Sequence, residues 1–451
     1  MSTVSLHTFG RGGVHPDSHK EATSWRPIEN LPTPAEVRLP LIQGAGEPAE
    51  PIVKKGDLVR RGQKIAAAGK NGAPLHATIS GKVKPIDKYP HPTHVLSQTI
   101  VIARQKGEEF EPLAFEEDPA WRALPTGEAL ARIEEAGIVG LGGAAFPTHR
   151  KLKLPPGVDV DTLIVNGAEC EPYLTADFRL MIADPEGVLE GSLAMARILG
   201  VKHVIVGIEA DKAAAREHLA EAAQAFATGD IRLEISTCAV RYPQGAEKQL
   251  VTALTGRVIP ARALPSAVGV VVQNVATASA VHQAVRCRRP LLDRVLTVTG
   301  PGIETPRNVR VPIGTLLSDV VAYCGGMKEG TTRIVAGGPM MGRALPRLDL
   351  PVVKGMNGLL LLTGRGPFED GFGPCIQCGR CLEACPLGLE PDQVSVWVEA
   401  GRPLDTERFG ALDCYECGCC TYVCPAERPL VQFMQVAKSA LRRAESVKAQ
   451  A

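Results

Sequence analysis

Cys375-Ile376-Gln377-Cys378-Gly379-Arg380-Cys381-Leu382-Glu383-Ala384-Cys385-Pro386 is repeated near the C-terminus as Cys414-Tyr415-Glu416-Cys417-Gly418-Cys419-Cys420-Thr421-Tyr422-Val423-Cys424-Pro425. Three thiolates separated by two residues let one loop wrap three irons of a cubane. The cysteine after three further residues, followed by proline, points to the neighbouring cluster. The repeat predicts two 4Fe-4S clusters with crossed ligation. Cys375, Cys378, Cys381 and Cys424 would hold the first cluster, and Cys385, Cys414, Cys417 and Cys420 the second. Cys419 is left over; using it as a ligand would break the spacing kept by the first motif, so it reads as a small apolar filler. Zinc ribbons instead pair two-cysteine knuckles across a long loop. A disulfide framework belongs to short secreted chains, and no signal peptide precedes these residues.

Composition excludes other classes. Fifty basic and 49 acidic residues leave a net charge of +1, which recommends neither nucleic acid nor an anionic lipid surface as a partner. No apolar run approaches the roughly 20 residues of a membrane-spanning helix; Gly358 to Leu362 and Val268 to Val272 are short and strand-like. The 451 residues suffice for about three domains or more, at roughly 150 residues each.

Upstream of the cysteines the texture changes several times. Residues 1–35, with Gly12-Gly13-Val14-His15-Pro16, read as an irregular docking arm. Over 36–118, β-branched runs alternate with turns, a small all-β module. Its Val53 to Asp57 phrase and its Ala77 to Val83 segment resemble the lipoyl and biotinyl carrier sandwich. The carrier's modifiable lysine motif is missing, because Ile79-Ser80-Gly81-Lys82 stands there. The module is therefore expected to be a structural spacer.

Residues 119–289 read as a Rossmann-like α/β domain. A helix from Glu128 to Ala136 runs into the glycine loop Gly137-Ile138-Val139-Gly140-Leu141-Gly142-Gly143-Ala144-Ala145-Phe146-Pro147-Thr148. Such a loop lets backbone amides approach a phosphate or a flat ring. The strand Thr162 to Val165 ends on Asn166-Gly167-Ala168-Glu169-Cys170-Glu171-Pro172, placing polar groups where open α/β sheets bind ligands. Tyr242 to Lys248 and Gln273 to Thr277 supply two more polar loops. Residues 290–350 read as a β-grasp, and 355–451 as a helical two-cluster ferredoxin domain. Within the β-grasp, Gly337-Gly338-Pro339-Met340-Met341-Gly342 reads as a tight turn with two core methionines rather than a cofactor loop.

The four α/β segments, in this order, resemble the flavin- and NADH-binding subunit of respiratory complex I. The resemblance implies FMN held by Gly140, Gly142, Gly143, Lys151, Asn166, Asn274 and Thr277. It places Glu169, Glu171, Tyr242 and Glu247 near the flavin ring and the nicotinamide nucleotide. Ala168 and Ala246 stand where that family carries an aspartate and a glutamate. The full order, from Gly12 to Pro425, resembles the RnfC family, a component of the Rnf complex, the bacterial membrane assembly that passes electrons between NADH and ferredoxin while moving ions. Membership implies an NADH-dependent oxidoreductase subunit, peripheral on the cytoplasmic face of the inner membrane. Integral and iron-sulfur subunits of the same complex would be its partners, with ferredoxin an indirect one. Two other readings remain at this point: a soluble cobalamin-reductase-like flavin and iron-sulfur enzyme, which would lack the arm and β module, and a non-catalytic adapter.

The remaining polar residues are given structural roles. His76, His149, His203 and His282 read as surface or satisfied core histidines, since thiolates already serve the metal. Cys170, Cys238, Cys287 and Cys324 read as small packing groups. The helix Leu430 to Arg443 carries Leu430, Phe433, Met434, Ala437 and Leu441 on one side and is expected to pack on the ferredoxin domain.

Overall fold

The computed structural model describes residues 6–225, 228–366 and 368–450. The β module is a sandwich of a five-stranded and a three-stranded antiparallel sheet. Alternation puts Val37, Leu39, Ile65, Ile100 and Ile102 in its core. The hairpin region that would present a carrier's lysine is turned inward. Thr78 Oγ1 donates to the Ile313 carbonyl at 2.6 Å, Arg61 Nε to the Thr78 carbonyl at 2.9 Å, and the Arg61 guanidinium pairs with Asp293 at 2.6 Å. Residues 77–80 are buried against the β-grasp, so they anchor the module instead of swinging from it.

The α/β domain is built on four parallel strands in the spatial order Arg232–Cys238, His203–Glu209, Thr162–Gly167, Val270–Asn274. Period-two alternation divides the central strand: Leu163 and Val165 join the larger core, and Ile164 faces the other side. Helices Pro185–Leu199 and Val275–Cys287 cross on one face. Gly191 permits the crossing, because a Cβ there would collide with the Ala278 carbonyl. Asp184 caps the first helix through the Gly187 amide at 3.1 Å, and Asn274 caps the second through the Ala276 amide at 2.8 Å. Helix Glu247–Thr255 covers the other face.

Two features depart from the sequence expectation. The arm is not irregular throughout, because Ile28–Asn30 forms the edge strand of a six-stranded sheet, paired parallel to Arg307–Pro312. The leucine run Gly358–Thr363 lies inside that same sheet, between Asp293–Thr299 and Thr331–Ala336, so the β-grasp continues past residue 350 into the stretch assigned to the ferredoxin domain. Both strands pair across long sequence separations, which local patterning does not encode.

The C-terminal unit is helical. Its last helix, Leu430–Gln450, buries Leu430, Met434, Ala437 and Leu441 against that unit, as its apolar stripe predicts. Arg428 is fully buried beneath it and donates to the Gly373 carbonyl at 3.0 Å and Ser395 Oγ at 3.2 Å. Among the described residues, no helix is long and apolar enough to cross a membrane.

Candidate electron-transfer site

At the carboxyl end of the parallel sheet the polar loops converge. Asn166 Nδ2 donates to the Gly245 carbonyl at 2.8 Å, and its Oδ1 accepts the Ala168 amide at 3.0 Å, tying two of the loops together. Asn274 Nδ2 donates to Asp177 Oδ2 at 2.6 Å. Lys151 Nζ pairs with Glu247 Oε1 at 2.6 Å, and Thr277 Oγ1 accepts the Leu141 amide at 2.9 Å. Gly142 lies against Asn274, where a Cβ would sit 3.3 Å from the Asn274 Cβ. Gly143 has a φ of +114°, a conformation that favours glycine. Lys151, Asn166, Asn274, Thr277, Glu247 and the loop glycines thus form one linked group. Among the described residues, the Gly142, Gly143 and Ala144 amides have no acceptor, which suits the oxygens of a phosphate.

Glu169, Glu171 and Tyr242 take their partners in three different elements. Glu169 accepts the Asp177 and Phe178 amides at 3.0 and 3.1 Å, at the start of helix Ala176–Ala183. Its backbone carbonyl accepts Lys20 Nζ from the arm. Burial, then the neighbouring Asp177, pushes the Glu169 carboxyl up to about 7. Glu171 accepts the Met341 amide at 2.7 Å and the Met340 amide at 3.2 Å. The loop read as a turn with two core methionines therefore docks on Glu171 through its backbone. Only Met340 packs inward, while Met341 is 50% exposed.

Burial pushes Glu171 up to about 7, against the two amides that favour its ionised form. An unfolded glutamate titrates near 4.3. The raised value means stability fully present below about pH 4.3 and lost as pH rises through about 7. Glu171→Gln is expected to remove this dependence, worth on the order of 3 kcal/mol at most. The melting temperature of the variant relative to the wild type should climb from pH 5 to pH 8. A difference that stays flat over that range would refute the assignment.

The two cysteine sets occupy different surroundings. Cys375, Cys378, Cys381 and Cys424 line one cavity with Asp392, Arg428 and Leu430, and Cys378 is exposed. Cys385, Cys414, Cys417 and Cys420 lie within electrostatic reach of one another. Burial first, then the neighbouring sulfurs, pushes the Cys414 thiol up to about 12. Backbone amides of Glu416 and Leu389 donate to the Cys414 and Cys385 sulfurs at 3.3 Å each. Cys419 is completely buried in the same cluster as Tyr242, Met340 and Val14. Among the described residues no three His, Cys, Asp or Glu side chains converge closely enough for one ion.

The second set abuts the α/β domain directly. Tyr242 is buried and its hydroxyl donates to the Cys417 carbonyl at 2.7 Å. Tyr415 donates to Gln249 Oε1 at 2.7 Å, and Gln249 Nε2 to the Pro386 carbonyl at 3.3 Å. The arm threads this seam. Val14 exchanges two backbone hydrogen bonds with Tyr242, at 2.8 and 2.9 Å, and the Gly13 amide donates to the Ala384 carbonyl at 2.9 Å. Arg241 holds the Phe9 carbonyl at 2.7 Å and also the Gly12 carbonyl.

Sequence reasoning missed Lys20, Asp177, Arg241, Gln249 and Tyr415. Arg241 and Tyr415 each adjoin a residue already singled out, Tyr242 or Cys414, and that adjacency was the available signal. Nothing local marks Lys20, Asp177 or Gln249. His282 also differs from expectation: it is buried against Trp121, with ring centroids 5.3 Å apart, and among the described residues neither ring nitrogen has a partner. Burial lowers its pKa, which keeps it neutral and limits the cost of the missing bonds.

Four family descriptions match successive parts of the chain. They are the RnfC barrel sandwich hybrid domain over residues 7–107, the Nuo51 FMN-binding domain over 133–283, the SLBB domain over 295–344 and the 4Fe-4S dicluster domain over 374–427. The chain is 44% identical over 437 residues to a subunit of the proton-translocating ferredoxin:NAD(+) oxidoreductase complex of Clostridium ljungdahlii, covering 96% of this chain and 94% of that one. It is 46% identical over 449 residues to a subunit of the ion-translocating oxidoreductase complex of Rhodobacter capsulatus, covering 99% and 86%. A subunit of the Na(+)-translocating ferredoxin:NAD(+) oxidoreductase complex of Acetobacterium woodii is 39% identical over 433 residues, covering 96% and 97%. A solved NAD+-reducing [NiFe]-hydrogenase shares the fold at a TM-score of 0.50 and 22% identity, over 71% of this chain and 64% of that one.

Proposed function

The chain belongs to the RnfC family of ion-translocating ferredoxin:NAD(+) oxidoreductase complexes, and from that premise we propose that it carries electrons between NADH, FMN and two 4Fe-4S clusters as a peripheral subunit on the cytoplasmic face of the membrane. The observation that carries this reading is the seam between the α/β domain and the second cysteine set, where the Tyr242 hydroxyl lies 2.7 Å from the Cys417 carbonyl. Electrons from a flavin held at the sheet's carboxyl end would reach the second cluster across this seam, which the Tyr415–Gln249 and Gln249–Pro386 hydrogen bonds also close. The first cysteine set opens outward, with Cys378 exposed and Ile376 63% exposed beside it, and is the exit toward an iron-sulfur partner. Integral subunits would hold the assembly in the membrane, and ferredoxin would exchange electrons further along.

FMN, when bound, accepts the electron pair of a hydride and releases electrons singly. The chain's own groups prepare that exchange. Gly140, Gly142 and Gly143 offer close backbone approach, and Lys151, Asn166, Asn274 and Thr277 fix the flavin's position. Glu169, Glu171, Tyr242 and Glu247 border the nucleotide side. Ala168 and Ala246 leave that side with fewer carboxylates than the complex I relative has. The Ala168 carbonyl lies so close to Gly245 that a Cβ on Gly245 would collide with it. Cys375, Cys378, Cys381 and Cys424 ligate the first cluster, and Cys385, Cys414, Cys417 and Cys420 the second.

Anaerobic purification tests the reading. Iron of about eight per chain for two cubanes, FMN released on denaturation and NADH-dependent dye reduction are the expected results. Clusters without flavin or NADH activity would leave a passive adapter. Recovery from washed membranes only when the integral partners are present separates this reading from a soluble reductase.

A further inference from the structure

Two buried basic side chains from outside the α/β domain hold two carbonyls of the glycine loop, those of Gly137 and Leu141. Lys354 Nζ donates to the Gly137 carbonyl at 2.7 Å and to the Pro74 carbonyl of the β module at 2.9 Å. Arg294 donates through Nη2 to the Leu141 carbonyl at 3.0 Å and through Nε to the Met356 carbonyl at 2.9 Å. Lys354 is 2% exposed and Arg294 3%. Among the described residues neither forms an ion pair. The backbone beside Lys354 also leans on the loop, since a Cβ at Gly355 would sit 3.1 Å from the Gly143 carbonyl.

Three further carbonyls are closed within the loop: Gly140 accepts the Ala145 amide and Ile138 the Thr148 amide, both at 3.0 Å, and Phe146 accepts the Gly140 amide at 2.8 Å. Among the described residues the amides of Gly142, Gly143 and Ala144 are left without an acceptor, and these three residues are exposed. A buried basic group without a carboxylate is expensive to keep. Burial alone lowers Lys354 to about 7, and it lowers Arg294 to about 10 against the pull of Asp177. The lysine amine donates hydrogen bonds in either protonation state, so its grip on Gly137 does not require the charge.

We propose that Lys354 and Arg294 are positioning residues that hold the glycine loop's carbonyls back so that its free amides form the phosphate cradle of FMN. They act from behind the loop and touch no reacting atom. The plainer role, a staple between β module, α/β domain and β-grasp, predicts a general loss of order. A cradle-forming role predicts a loss confined to the phosphate. The inference rests on the reading that FMN binds at this loop.

The test uses the full chain with its clusters and compares FMN with riboflavin, which lacks the phosphate, by flavin fluorescence titration. For Lys354→Met and Arg294→Met, FMN affinity is expected to fall about tenfold or more, the scale of one lost hydrogen bond to a charged group. Riboflavin affinity should hold, and iron content and cluster EPR signals should match the wild type. Arg294→Lys, which keeps one donor, should recover part of the FMN preference. Equal losses for FMN and riboflavin would overturn the proposal in favour of the staple. So would an unchanged FMN-to-riboflavin ratio. If a methionine variant does not fold, Lys354→Gln and Arg294→Lys decide by the same ratio. A wild-type chain that binds FMN no better than riboflavin would instead overturn the placement of the phosphate on this loop.

Discussion

Cys385→Ala is expected to remove the second cluster and spare the first, whereas Cys424→Ala removes the first and spares the second. Each variant should fall from about eight irons per chain to about four. The expectation rests on which sulfurs meet. Cys424 shares a cavity with Cys375, Cys378 and Cys381, although it belongs to the second motif. Cys385 belongs to the first motif but lies near Cys414, Cys417 and Cys420. The functional consequence is unequal. Loss of the second cluster cuts the path at the Tyr242 seam, so dye reduction that depends on the clusters should collapse while flavin reduction by NADH persists. Loss of the first cluster should leave the second reducible and block only delivery to the outside. EPR of the two variants after NADH addition decides the matter. Retention of the second cluster's signal in Cys385→Ala would falsify the crossed assignment.

Gly12→Ala should produce the next largest effect, from a residue that touches no cofactor. Gly12 has a φ of +68°, and a Cβ there would stand 2.5 Å from the Cys385 carbonyl carbon, 2.6 Å from its oxygen and 2.6 Å from the Pro386 nitrogen. Those atoms are backbone, so nothing flexible can swing aside. Left-handed strain of about 1–2 kcal/mol adds to overpacking of about 1–3 kcal/mol. The strain falls on the junction that joins Cys385 to the arm and, through Val14, to Tyr242. Stopped-flow mixing with NADH should show flavin reduction unchanged and reduction of the second cluster slowed by about tenfold or more, since small displacements of reacting groups carry large rate penalties. Gly10→Ala is the matched control, because among the described residues nothing lies within 4 Å of a Cβ at that position. Equal kinetics in the two variants would show that the arm does not set the seam.

Much of the chain was legible before its structure. The cysteine spacing, the glycine loop and the segment Asn166 to Pro172 are local patterns, and a ligand that needs several groups from one short stretch leaves such a pattern. The sandwich was legible too, and so was the stripe on the last helix. Less legible were the strands that complete another unit's sheet. Ile28–Asn30 and Gly358–Thr363 carry the pattern of any short strand, and their partners lie elsewhere in the chain. The partner of the Gly337 to Gly342 loop was hidden for the same reason. Its Met340 and Met341 amides meet a carboxylate about 170 positions earlier in the chain, Glu171.

The sequence by itself determined the ligand types and the order of the domains, because thiolate spacing and loop composition are constraints on neighbouring residues. It did not determine which cluster lies next to the flavin domain. That order depends on Gly12, Tyr242 and Cys417 meeting in one seam, and on Cys378 remaining outside it. Burial was likewise a product of assembly. Glu171 and Lys354 are ordinary charged residues in the sequence, and only removal from water brings each to about 7. Tertiary packing decides both matters, because desolvation and contact between distant segments exist only once the domains have closed on one another.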